Sequence, residues 1–109
     1  MTKYFGKVRV ANHFFGRFLG LMGRRQWPAS HRGLFFPRCG SVHTFFTFLH
    51  PDLLFLDKNN KILRIHPSAK PWLVFFGPIH TYGCLELPQD TACQLGLHEG
   101  DFFDGPFNN

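Results

Sequence analysis

The chain has 109 residues, of which 44% are apolar. That is enough to build one core and excludes disorder as the main state. Lys and Arg number 12 against 7 Asp and Glu, a formal charge of +5. No apolar run approaches the roughly 20 residues of a membrane-spanning helix. The start, Met1 to Val10, carries charge but no apolar stretch, so no signal peptide is expected. The length predicts one domain over 1–109, with its core in about 6–103 and a flexible tail in 104–109.

Lys7 to Ala11 alternates as a strand does, and Asn12 can cap a helix running to about Arg25. Within it Phe14, Phe18 and Met22 form an apolar stripe, with Gly16, Gly20 and Gly23 on another flank. Trp27-Pro28-Ala29-Ser30 breaks the chain before a short strand at Gly33 to Pro37 and a second at Ser41 to Leu49. Leu53 to Asp57 and Lys61 to His66 flank Asn59-Asn60 and predict a hairpin, because Asn tolerates left-handed turn geometry. Pro67, Pro71 and Pro78 demote Trp72 to Phe76 to an edge strand. Gly83 to Leu87 is a further strand; Asp90 or Thr91 caps a short helix ending near Gly96; Phe102-Phe103 closes the series.

Phenylalanine is unusually abundant, with 15 copies and five adjacent pairs: Phe14-Phe15, Phe35-Phe36, Phe45-Phe46, Phe75-Phe76 and Phe102-Phe103. Neighbours on a strand point to opposite faces, so each doublet makes both faces apolar. Either a second layer covers the outer ring or the ring is exposed to a partner. Charge is uneven as well. Residues 1–51 hold eight of the basic residues and no acid, although no basic run exceeds Arg24-Arg25. Cys39, Cys84 and Cys93 form no CxxC pair, which points to free thiols and a reducing, cytoplasmic setting.

The ordered set Gly20-Leu21-Met22, Gly33-Leu34-Phe35, Val42-His43-Thr44-Phe45-Phe46, Asp52-Leu53-Leu54-Phe55-Leu56-Asp57, Lys70-Pro71-Trp72, Leu85-Glu86-Leu87-Pro88, Gly96-Leu97 and Gly100-Asp101 resembles the uncharacterised prokaryotic family called domain of unknown function 192, over about residues 6–103. The resemblance implies a small barrel-like β domain with few helices and no established activity. This chain has Thr47 and Phe48 where the family reads Met and a basic residue, and His50-Pro51-Asp52 in place of a Pro-Ile-Asp triplet. Together with the strand pattern, the expected fold is α+β and mainly antiparallel: a small closed or nearly closed β-barrel with one substantial helix and one short helix.

The strongest polar constellation is His43, Thr44, Asp52, Asp57 and Glu86, each within or beside an apolar strand. A carboxylate there needs partners, because burying it ionised is costly. The structural reading ranks first for the acids: bonds from backbone N–H groups, with Asp52 in a local Asx turn at the bend set by Pro51. The catalytic reading pairs His43 with Asp52 or Glu86 as a hydrolase-like acid/base set. Thr44, Thr47, Asp57, Arg24 and Arg25 are candidate binding residues. None of the seven histidines falls in a metal-ligand spacing, so no metal or cofactor is expected.

The altered central motif argues against catalysis, so a non-catalytic binding or interaction module comes first. Its partner would be another protein or a second copy, meeting exposed Phe. The hydrolase-like enzyme is the alternative. Third is weak nucleic-acid or anion binding through Lys7, Arg9, Arg17, Arg24 and Arg25.

Overall fold

The structure is a computed structural model that describes residues 2–3, 8–10, 26–27, 32–44, 48–104 and 107–108. In chain order it holds β1 (Thr2–Lys3), β2 (Val8–Val10), β3 (Gly33–Pro37), β4 (Ser41–His43), β5 (Asp52–Leu56), β6 (Ile62–His66), β7 (Val74–Phe76), β8 (Gly83–Leu87), the helix α1 (Thr91–Leu95), β9 (Phe103–Asp104) and β10 (Phe107–Asn108). The expected helix over 12–25 lies outside the described residues, and α1 is the one helix among them.

Six strands form one sheet in the order β10-β2-β3-β8-β5-β6. The expectation of a closed or nearly closed, mainly antiparallel barrel does not hold. Among the described residues the sheet ends in two unjoined strands, β10 and β6, and no sheet closes on itself. It is also mixed. β10 and β3 both run parallel to β2, whereas β3, β8, β5 and β6 are antiparallel in turn. The physical reason is connection length. β2 and β3 are separated by residues 11–32, long enough for the crossover a parallel pair requires, whereas short-range patterning reveals only hairpins. The β5–β6 hairpin forms as expected, with Asn60 at φ 64° in its turn and a register shift between Phe55 and Leu56.

The sheet is covered on both faces, and this resolves a Phe doublet that the structure describes. β3, β5 and β8 are buried at every position, as strands with two covered faces must be. One face carries Phe35, Leu54, Leu56, Leu85 and Leu87 against Ala92 of α1, Leu97 and Phe103. The other carries Leu53, Phe55 and Cys84 beneath Val42 and Phe75, with Leu34 and Phe36 beneath Trp27 and Leu49. Val42 and Phe75 belong to a two-stranded ribbon, β4–β7, that lies over the sheet as a separate layer. Phe35 and Phe36 therefore enter different cores. Two other doublets are split between inside and outside: Phe103 is buried and Phe102 exposed, and Phe75 packs inward while Phe76 is exposed. Phe14-Phe15 and Phe45-Phe46 lie outside the described residues.

α1 ends in a Schellman motif: Gly96 at φ 66° donates to the Cys93 carbonyl and Leu97 donates to the Ala92 carbonyl at 2.9 Å. At Gly83 the sheet tolerates no side chain. A Cβ there would sit 2.6 Å from both the Phe36 carbonyl oxygen and the edge of the Phe35 ring. Gly83→Ala is therefore expected to cost about 1–3 kcal/mol through overpacking, read as a lower midpoint in a urea melt.

Candidate functional site

Asp52 opens β5 and is fully buried. Its Oδ1 accepts the N–H of Ser68 at 2.9 Å and that of Asp90 at 3.3 Å; its Oδ2 accepts the N–H of Ala92 at 2.8 Å. The local Asx turn expected from Pro51 is not the arrangement found, because the partners lie 16, 38 and 40 residues away. Asp90, the residue before α1, makes no side-chain cap of its own, so Asp52 caps the helix from across the fold. Both carboxylate oxygens are thus committed to the backbone.

Glu86 lies at the middle of β8 and is 7% exposed. Asp52 pairs with Leu87 and Leu53 with Glu86, so the two acids point to opposite faces of the sheet. Glu86 faces the side of Leu34 and Leu53, its cross-strand partners, and burial pushes its carboxyl up to about 8. His43 is exposed on the ribbon. Its neighbour Val42 packs inward against the sheet, so strand alternation turns His43 outward. The structure does not bring His43, Asp52 and Glu86 together.

Thr44 is buried at the end of the same ribbon. Its hydroxyl donates to the Lys70 carbonyl at 2.7 Å and accepts the Leu73 N–H at 3.0 Å. Its backbone bonds Leu73 and Trp72 at 2.8 and 3.0 Å. It locks the turn that carries Lys70-Pro71-Trp72, in which Trp72 adopts φ 65°. Thr47, Arg24 and Arg25 lie outside the described residues.

Asp57 belongs to a different place, the hairpin end of the sheet. Its Oδ1 accepts the N–H groups of Asn59 and Lys61 at 2.8 and 3.0 Å and so shapes the β5–β6 turn. Beside it opens a cleft of about 610 Å³ lined by Arg38, Cys39, Gly40, Asp57, Lys58, Asn59, His80, Thr81 and Tyr82. Sequence reasoning reached Asp57 and missed the others, which come from three separate turns. Arg38 at φ 52° and His80 at φ 75° hold left-handed backbone that no residue pattern announces. At the opposite end of β5 and β8 a hollow of about 400 Å³ is lined by Trp27, Phe48, Leu49, His50, Pro51, Pro88 and Gln89.

Among the described residues, exposed large apolar side chains cluster along β7 and its flanks: Trp72, Leu73, Val74, Phe76 and Ile79. Among the described residues no three His, Cys, Asp or Glu side chains gather as metal ligands, and no helix is long and apolar enough to cross a membrane.

These features define a small mixed-sheet domain with a polar cleft at one end and an apolar outer ribbon. The model of the family DUF192, described as "Uncharacterized ACR", matches residues 2–104, and the chain belongs to that family. A UPF0127 protein of Pyrococcus horikoshii is 28% identical over 100 residues, which span 88% of this chain and 84% of that protein. A UPF0127 protein of Thermococcus sibiricus is 29% identical over 105 residues, 91% of this chain and 66% of its own length. Among solved structures, a Sinorhizobium meliloti 1021 protein described as a candidate transcription regulator superposes with a TM-score of 0.76 at 31% identity, covering 87% of this chain and 78% of that one. A Novosphingobium aromaticivorans protein of unknown function shares the fold, with a TM-score of 0.74 at 22% identity over 87% of this chain and 71% of its own.

Two predictions follow from the buried acids. Asp52→Ala strands three N–H groups and is expected to cost about 3 kcal/mol or more; Asp52→Asn keeps one acceptor and costs less. Urea melts of both beside the parent read this order, and two melts identical to the parent would contradict the tie.

Glu86 predicts a pH dependence. Its unfolded carboxyl ionises near 4.5, whereas the folded one holds its proton to about 8. The folded state binds the extra proton between those values. Its contribution is therefore fully present below about pH 4.5 and is lost as pH rises to about 8, at up to about 1.4 kcal/mol per unit. Glu86→Gln should flatten that decline, measured as denaturation midpoints from pH 4.5 to 8.5.

Proposed function

We propose that this domain is a non-catalytic interaction module that meets a partner protein chain along the β7 edge of its outer ribbon. The observation that carries the reading is the run of apolar side chains left outside both cores: Trp72 is 58% exposed, Phe76 66% and Ile79 83%. β7 pairs with β4 on one side, and among the described residues no strand pairs with its other edge. An edge of this kind offers unpaired backbone groups as well as apolar rings. Exposed Trp and Phe are side chains that anchor interfaces when a partner desolvates them. The catalytic alternative loses its support in the same geometry, since Asp52 is spent on three backbone bonds on the opposite sheet face from Glu86, and His43 is exposed on the outer side of the ribbon.

The description of the Sinorhizobium relative favours a second reading, nucleic-acid binding by the basic first half of the chain. Arg9 is exposed on β2; Lys7, Arg17, Arg24 and Arg25 lie outside the described residues. Charge-driven binding must weaken steeply with salt, so gel shifts at two salt concentrations separate this reading from the first.

The interaction reading is tested by light scattering over a range of concentrations and in the presence of cell extract. Concentration-dependent association, or a defined complex, is expected for the parent and not for Phe76→Lys. Because Phe76 is exposed, that substitution should change stability by no more than about 0.5 kcal/mol. A parent that remains monomeric and captures nothing would overturn the reading, as would association unaffected by Phe76→Lys.

A further inference from the structure

The cleft at the hairpin end collects three basic side chains against a single carboxylate. Arg38 stands in the turn between β3 and β4, Lys58 in the β5–β6 turn and His80 in the turn before β8. Among the described residues none of the three forms an ion pair; the ion pair found there joins His98 and Asp101 elsewhere. The one carboxylate lining the cleft, Asp57, has Oδ1 held by two backbone N–H groups. Arg38 and Lys58 are exposed at the cleft and so remain accessible to an incoming anion.

The walls are built rather than loose. Cys39 donates its N–H to the Tyr82 carbonyl at 2.9 Å, and Tyr82 donates to the Leu56 carbonyl at 2.8 Å. These bonds stitch the Arg38 turn and the His80 turn to the end of β5. The Tyr82 ring is backed by Phe35, with centroids 6.4 Å apart. The Cys39 thiol donates to the Ser41 carbonyl at 2.9 Å. Two of the basic residues, Arg38 and His80, sit in left-handed backbone, a conformation that side chains with a Cβ resist and that clusters at functional positions.

We infer that this cleft binds a small molecule carrying a phosphoryl group, with Arg38 and Lys58 on the phosphoryl oxygens and the rest of the molecule against Tyr82. Arg suits phosphoryl oxygens through its planar fork of donors, and Lys adds a point charge. The volume of about 610 Å³ falls in the range of small-molecule sites and exceeds what a bare ion fills. The cleft is separate from the apolar β7 surface, and none of Lys7, Arg9, Arg17, Arg24 and Arg25 lines it.

The test is an NMR titration of the full chain with a nucleoside monophosphate, inorganic phosphate and the unphosphorylated nucleoside. The monophosphate is expected to shift the amides of residues 38–40, 57–59 and 80–82 saturably, phosphate more weakly, and the nucleoside least. Arg38→Asn and Lys58→Gln should each raise the Kd by about tenfold or more, the worth of one charge-assisted bond. Asn accepts left-handed backbone, so Arg38→Asn should leave the melting midpoint level with the parent or above it, which separates lost binding from lost fold. Nucleoside binding as tight as monophosphate binding would overturn the phosphoryl assignment. So would shifts scattered outside the three turns, no saturation in the millimolar range, or affinity untouched by both substitutions.

Discussion

The fold depends most on a single carboxylate. Asp52 takes N–H groups from Ser68, Asp90 and Ala92, which belong to the turn after β6, the residue before α1 and α1 itself. Each of these segments is short and could not hold its position alone; a five-residue helix is well below the length that is stable by itself in water. Ser68 and Asp90 both sit at positive φ, 49° and 69°. Bonds to a buried acceptor help to offset that local cost and fix where the helix meets the sheet. Once α1 is fixed, Ala92 and Leu97 cover the face of Leu54, Leu85 and Leu87.

The opposite face is organised by the ribbon instead. Thr44 holds the chain before β7 through both side chain and backbone, which places Val42 and Phe75 over Leu53, Phe55 and Cys84. The result is a sheet of strands two to five residues long whose central strands β3, β5 and β8 are buried on both faces. Glu86 is the polar exception on this side. Burial holds it protonated up to about pH 8, so at neutral pH it sits in the sheet as a neutral acid and avoids most of the penalty of a buried charge. His66, on the edge strand, meets a milder form of the same constraint: burial and the nearby Arg64 lower its pKa, and its Nε2 is buried without a partner among the described residues.

Local signals were legible in the sequence, and long-range ones were not. β3, β8, the β5–β6 hairpin and α1 follow from apolar runs, Asn59-Asn60, Asp90 and Gly96, all of which act over a few residues. The parallel seating of β2 against β3, the ribbon as a separate layer and the open sheet follow from contacts across tens of residues, for which one sequence carries no register. The same division applies to the site. Asp52 is recognisable as an acid that needs donors, but Pro51 points only to a local turn, whereas the donors come from 16, 38 and 40 residues away. Asp57 was found because it sits in a turn, whereas Arg38 and His80 are gathered beside it by strands distant in sequence.

The family motifs that survive in this chain are mostly framework. Thr44 meets Lys70 and Trp72, so two motif segments are joined by one threonine. Asp52 meets Ala92, between the Glu86 motif and Gly96. Gly96 ends α1 in a conformation that glycine adopts without strain. Membership in the family therefore reports how the backbone is tied, which is why it can be read clearly while specifying no reaction. The surfaces open to other molecules use residues largely outside those ties: Phe76 and Ile79 on the outer ribbon, and Arg38, Lys58 and His80 around the cleft. Substitution there leaves the cores and the Asp52 bonds in place. On the proposed readings, binding by this chain would be set by its turns and ribbon rather than by the buried motif.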